Sequence, residues 1–234
     1  MGDFASAIVT AVGLILSLDQ DLTQIVALSL EVSLTAVVLA SLIGLPLGGA
    51  IALVPFPGRG AVATVMNAMM GLPPVVIGLL LYLLLSRSGP LGSLGLLFTP
   101  SAMIVAQCVL VIPIVAALTR QVVVDLHQEY DEQLRSLGTG ILRTIFTLLW
   151  DGRFRLSTAV LAGFGRVIAE VGAVLIVGGN IDHYTRVMTT TIALETSKGN
   201  IPLALGLGII LIAVSLGINI AASAVHHVTY RRYG

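Results

Sequence analysis

Charge is scarce in this chain. Of its 234 residues only 10% are Asp, Glu, Lys or Arg, against 56% hydrophobic, and the mean hydropathy is +1.02. A soluble domain carries about 25% charged residues to cover its surface, so a soluble globular protein is excluded. Lysine is almost absent: eleven of the 12 basic residues are Arg, and Lys198 stands alone. Basic and acidic residues balance at 12 each, which removes the electrostatic footprint of a nucleic-acid binder. A single cysteine, Cys108, rules out an intrachain disulfide. There is no Gly-x4-Gly-Lys-[Ser/Thr], and Lys198 has no such context, so a P-loop for ATP is missing. His127, His183, His226 and His227 never form His-Glu-x-x-His, which leaves an intramembrane zinc protease without support. No internal repeat stands out, so the inverted halves of many secondary transporters are not visible.

What the chain has instead is long charge-free stretches. They run from Glu31 to Arg59, Arg59 to Arg87, Arg87 to Arg120 and Lys198 to Arg231. Each is long enough for a membrane helix, which needs about 20 apolar residues. The pattern predicts an all-α integral membrane protein, one transmembrane domain over 1–234, with spans at 25–54, 61–85, 100–118, 158–179 and 201–225. The fourth span contains two charges, Arg166 and Glu170. Pro55-Phe-Pro-Gly58 and Ser88-Gly-Pro90 punctuate the gaps, and Pro202 sits in the first turn of the last span. Stretch 4–18 is apolar but short, precedes Asp19 and Asp21, and lacks the cationic region of a signal peptide. It reads as an interfacial helix lying in membrane lipid, with a sixth span as the alternative.

Orientation follows from the Arg and Lys of the loops. With five spans and the N-terminus outside, one side receives Arg59, Arg120, Arg135, Arg143, Arg153, Arg155, Arg231 and Arg232. The other receives Arg87, Arg186 and Lys198. That bias makes the 120–155 loop and the C-terminus cytoplasmic.

Ten of the 24 charges fall in this 120–155 loop. Its apolar residues Leu126, Tyr130, Leu134 and Leu137 keep helical spacing, Gly138-Thr139-Gly140 is a helix stop, and an apolar run follows from Ile141 to Trp150. The reading is helix, sharp turn, helix: a shape a partner protein can grip, where a simple connector would need neither an amphipathic pattern nor a glycine turn.

Glu132-Gln133-Leu134-Arg135-Ser136-Leu137-Gly138, followed by the apolar stretch to Leu148, resembles the EAA loop of ABC importer permeases. The Glu and Gly keep that motif's separation; Gln133 and Leu134 replace its two alanines, Trp150 its Leu and Asp151 its Pro. A second stretch is similar to tungstate permeases: Ala162-Gly-Phe-Gly-Arg-Val-Ile-Ala-Glu-Val-Gly-Ala-Val-Leu-Ile-Val-Gly-Gly-Asn180, then Thr185-Arg-Val-Met-Thr-Thr-Thr191 and Leu194-Glu-Thr-Ser-Lys-Gly199. Molybdate and sulfate permeases share a looser form of it.

The resemblance implies the type I ABC importer permease fold and a prokaryotic cytoplasmic (inner) membrane location. It implies a homodimer working with two copies of a separate ATPase, which would hold ATP and Mg, and with an extracytoplasmic solute-binding protein that delivers the oxyanion. Tungstate is the expected cargo, with molybdate or sulfate as the alternative. A gradient-driven carrier is the reading from another class, and Glu170 beside Arg166 is its acidic candidate within a span, Glu31 lying near the outer end of the first. The loop residues Glu132, Arg135, Ser136, Leu137, Gly138 and Gly140 would dock the ATPase.

Translocation-path candidates are Arg166, Glu170, Asn67, Gln107, Pro73 and Pro74. Arg166 and Glu170 are four apart, so on a continuous helix they share a face and can pair. The pair either orients the fourth span, or sets Arg166 near the cytoplasmic end of the anion's path with Glu170 tempering its charge. Gly71-Leu-Pro-Pro74 interrupts the second span, and Pro46 and Pro113 are expected to break the first and third. Asn67, Gln107 and Asn219 are the neutral polar side chains expected to face inward.

Overall fold

The computed structural model describes residues 20–233 together with Val9, Val12, Gly13 and Ser17, and the side chains of the last helix up to Ala221 and at Ala224. The interfacial helix expected at 4–18 lies almost wholly outside these residues, as do the side chains of His226, His227, Arg231 and Arg232. The helices are α1 Gln20–Leu53, α2 Arg59–Met69, α3 Pro74–Leu85, α4 Pro100–Ser136, α5 Ile141–Asp151, α6 Arg153–Ile168, α7 Gly172–Gly178, α8 Met188–Ser197 and α9 Ile201–Tyr233. No strand occurs among the described residues. Three helices are long and apolar enough to cross a membrane by themselves, within α1, α4 and α9. The count reaches five when α2 with α3, and α6 with α7, are each taken as one interrupted span.

Four expectations are corrected here. Pro46 lies inside α1 and Pro113 inside α4, and neither ends its helix. A long apolar helix keeps its course past one missing N–H donor when its neighbours re-satisfy the freed carbonyl. The second span does break, but Pro73 and Pro74 begin a helix and do not kink one: Pro73 is the N-cap of α3 and Pro74 its first residue, the position where proline's missing N–H is of no consequence. The third span runs on without interruption into the loop, so α4 is both membrane helix and first loop helix, 37 residues long. The fourth span is two helices with 169–171 between them.

Contacts divide the chain into two compact units: one of 1–35, 73–107 and 167–220, the other of 36–72, 108–166 and 221–234. In the first, α3 lies against α7. A Cβ on Gly78 would sit 2.8 Å from Ala173 Cα, and one on Gly172 would sit 2.7 Å from Val75 Cγ2, so only glycine allows this approach. Leu22, Met188 and Leu207 form a buried cluster with Ile25, Val26, Leu203 and Leu211 around it. The Ser29 hydroxyl donates to Ile25 O at 2.6 Å and accepts the Met188 N–H at 2.7 Å, tying α1 to the start of α8.

In the second unit α2 packs through Ala63 and Met66 on Ile51, Ala116 and Ala117. Arg59 donates back to the carbonyl of Ala52 and so caps the end of α1. Leu126, Leu134 and Leu148 bury together with Ala52 and Val123, which fixes α5 against the extended end of α4.

Candidate functional site

Two regions hold the residues singled out by sequence. The first is the turn from α4 into α5. Gly138 has φ +59°. Its N–H bonds Arg135 O at 3.0 Å and the Thr139 N–H bonds Leu134 O at 3.3 Å. This pairing satisfies the last carbonyls of α4 and places a glycine where a Cβ would be strained. The Thr139 hydroxyl adds contacts to Leu134 O and to the Thr144 hydroxyl, both at 3.1 Å. Gly140, with φ −73°, is an ordinary extended N-cap for α5.

Glu132, Arg135 and Ser136 are exposed. Arg135 donates to Asp131 at 2.9 Å, one turn back, and the Ser136 hydroxyl to Gln133 O at 2.8 Å. Leu137, expected on the packed face with Leu126, Tyr130 and Leu134, is 75% exposed. The glycine stop ends α4 just there, so Leu137 leaves the buried face. One side of α5 is buried through Thr144, Ile145 and Leu148. The other carries Leu142, Phe146 and Trp150, between 66% and 73% exposed. Spaced by four, these make one apolar stripe. Arg153 extends it, its guanidinium 5.0 Å from the Trp150 ring and 4.6 Å from that of Phe154.

The second region is the break in the fourth span. Arg166 is half-buried in the last turn of α6, whereas Glu170 lies in the linker beyond the helix. The expectation that they share a helix face is therefore overturned: the helix ends between them. Glu170 is 4% exposed, and its Oε1 accepts the Ala173 N–H at 3.0 Å, capping α7. The Thr189 hydroxyl donates to Glu170 O at 2.9 Å, which satisfies a linker carbonyl.

Thr190 donates to Asn180 Oδ1 at 2.8 Å, and Thr191 to Val187 O at 2.7 Å. Thr185 donates to Gly178 O at 2.6 Å and accepts the Ile181 N–H at 2.9 Å. After α8, Glu195 accepts from Lys198 and from Asn200, each at 2.9 Å. The Lys198 bond above all, then that of Asn200, holds the Glu195 carboxyl below its ordinary range, against an opposing push from burial.

Gln107 is buried, at 4% exposure. Asn67 is exposed on α2, and Asn219 donates to Ser215 O of its own helix at 2.8 Å. No group of three or more His, Cys, Asp or Glu side chains suited to a metal occurs among the described residues.

A family described as "Binding-protein-dependent transport system inner membrane component" matches residues 40–234. This chain belongs to that family. Among known proteins it is 42% identical over 203 residues to a probable anion ABC transporter permease protein of Haloferax volcanii, covering 85% of this chain and 88% of that one. It is 39% identical over 209 residues to the tungstate uptake system permease protein TupB of Peptoclostridium acidaminophilum, covering 89% and 92%. With the TupB protein of Campylobacter jejuni the identity is 38% over 155 residues, covering 66% and 65%. As a transport-system permease the chain is a multi-pass inner-membrane subunit and not an enzyme; ATP is hydrolysed by a separate ATPase, and a solute-binding protein serves the system.

Sequence reasoning about this permease passed over two sets of residues. Leu142, Phe146 and Trp150 were legible only as part of an apolar run, yet their spacing of four against buried Thr144, Ile145 and Leu148 separates an outer stripe from the inner face. Thr189 bonds the linker at Glu170 O, Thr185 the end of α7 at Gly178 O, and Thr190 the side chain of Asn180 just beyond it, while Ser29 ties α1 to the start of α8. For Thr189 and Thr190 the one signal was the run of three threonines, 189–191, in an otherwise apolar chain; Ser29 and Thr185 had none.

Proposed function

We propose that this chain is the membrane-spanning subunit of an ATP-driven importer for tungstate. The observation that carries the reading is the 39% identity to a tungstate uptake permease, sustained over 89% of this chain. Two copies pair in the membrane, each engages one ATPase subunit, and an extracytoplasmic binding protein delivers the oxyanion. ATP and Mg bind on the ATPase alone. The 120–155 segment and the C-terminus face the cytoplasm, in keeping with the surplus of Arg on that side.

Docking of the ATPase falls to the exposed stripe Leu142, Phe146 and Trp150, presented by the Gly138 turn and flanked by Glu132, Arg135, Ser136, Leu137 and Gly140. An apolar stripe of this size, rimmed by charge on a polar segment, fits a partner's cleft. Arg166, half-buried, and Asn67, exposed, are the side chains that meet the passing dianion. Glu170 and Gln107, both buried, and Pro73 with Pro74, which start α3, shape the path without touching the cargo.

The test is ATP hydrolysis by the reconstituted permease, ATPase and binding protein in membrane discs. Tungstate-loaded binding protein is expected to stimulate hydrolysis several-fold, with weaker effects of molybdate and sulfate. Equal stimulation by all three would widen the cargo to oxyanions in general, and stimulation by none would refute the importer. Reporter fusions check the orientation separately: fusions after Gly140 should read cytoplasmic and those after Gly89 or Gly199 external. An external signal at Gly140 would place the docking stripe out of the ATPase's reach.

A further inference from the structure

The first compact unit holds a small, partly open cavity of about 10 Å³. Its walls come from α1, α4, the end of α6, the 169–171 linker, the start of α8, and α9. The polar groups around it are Ser29, Ser33, Gln107, Glu170 and Thr189. Most have their valences met: Ser29 bridges Ile25 O and the Met188 N–H, Thr189 donates to Glu170 O, and Glu170 Oε1 accepts from Ala173.

Gln107 is different. Its residue is 4% exposed, and its Oε1 is buried with no hydrogen-bond partner. A buried acceptor left without a donor costs roughly 1–3 kcal/mol, and such groups in folded proteins are nearly always satisfied. Rotating the amide does not remove the need, since it exchanges an unmet acceptor for an unmet donor. A cavity of this size has room for one water, and a stable internal water needs two to four polar partners. Ser33, Gln107, Glu170 and Thr189 supply them on the walls.

We propose that this cavity is a binding site for a single internal water, which donates to Gln107 Oε1 and serves as the movable part of the joint in the fourth span. Non-helical backbone at membrane depth is tolerated where protein or water satisfies it. A water held among five segments around 169–171 can re-form its bonds when those segments shift, which fixed side-chain bonds cannot do. The site holds whatever the cargo, so it does not rest on the assignment of tungstate.

Met188 gives the test. It lines the cavity at 1% exposure, while Met103, at 0%, lies against Gly178 outside it. A bound water is a local source of hydroxyl radical under a short X-ray pulse, so it labels buried neighbours that bulk solvent cannot reach. With the assembled transporter in membrane discs and H₂¹⁸O, Met188 is expected to take up label at least several-fold faster than Met103. Gln107→Leu removes the acceptor and should lower Met188 labelling toward the Met103 rate. Equal rates for the two methionines in the wild type would overturn the site. Unchanged Met188 labelling in Gln107→Leu would overturn the role of Gln107. If that variant does not assemble, the wild-type ratio decides by itself.

Discussion

The turn after α4 and the break after α6 both interrupt a helix, yet they are held in opposite ways. At the turn the bonds are local: Gly138 and Thr139 return to Arg135 and Leu134 within the same few residues. Its surroundings are then left exposed on one side, with Leu137, Leu142, Phe146 and Trp150 uncovered by their own chain. At the break one bond is local, from the Ala173 N–H to Glu170, but the linker carbonyl of Glu170 is met from afar, by Thr189 nineteen residues on. Local closure with an open apolar face suits a part built for another protein. Distant closure with a buried polar core suits a part that must keep its own backbone satisfied inside the membrane.

The strongest way to break this contrast is in the inner face of α5. Leu148 is 0% exposed, and Leu148→Ala should destabilise the loop pair by about 2–5 kcal/mol, read as a large fall in the melting temperature of the permease. Were Leu148→Ala neutral, α5 would not be anchored on α4 at all.

At the break, Glu170→Ala leaves the Ala173 N–H unmet and should cost about 1–3 kcal/mol. Glu170→Gln keeps an acceptor at that place and should recover much of the loss in the same melting assay. Similar losses in both variants would shift the weight from the cap to the carboxylate's charge. Gly138→Val forces a β-branched residue to φ +59°, a strain of about 1–2 kcal/mol. Membrane insertion should persist while association with the ATPase falls, as measured by co-purification.

The smallest effect is expected at Glu195. Its carboxyl is held below the ordinary range by Lys198 and Asn200. A group depressed in the folded state adds stability above its unfolded pKa, near 4.3 for Glu, and loses it as pH falls through the folded value. Melting of the wild type minus that of Glu195→Gln should therefore be positive at neutral pH and shrink below about pH 4. A difference independent of pH would mean the carboxylate is not the stabilising species.

The same contrast explains which parts could be read in advance. Helices α1, α4 and α9 each contain a long charge-free run, and the stop at Gly138 is a local signal, so both were legible. The fate of Pro46 and Pro113 was not, because a proline's effect depends on whether neighbouring helices hold the segment together. Nor was the end of the helix between Arg166 and Glu170. Spacing by four promises a shared face only if the helix continues, and what stops it is Gly172 packed on Val75 and a linker bonded to Thr189. Those partners are fixed by tertiary structure, which a periodicity cannot report.

The central claim is that the outer stripe of α5 belongs to a partner and the inner face to the chain itself. Phe146→Ser with Trp150→Ser tests it most directly, since both side chains are exposed, at 66% and 70%. Co-purification of the ATPase with this double variant should be lost while the permease inserts and melts as the wild type does. Retention of the ATPase at the wild-type level by a normally folded double variant would contradict the account.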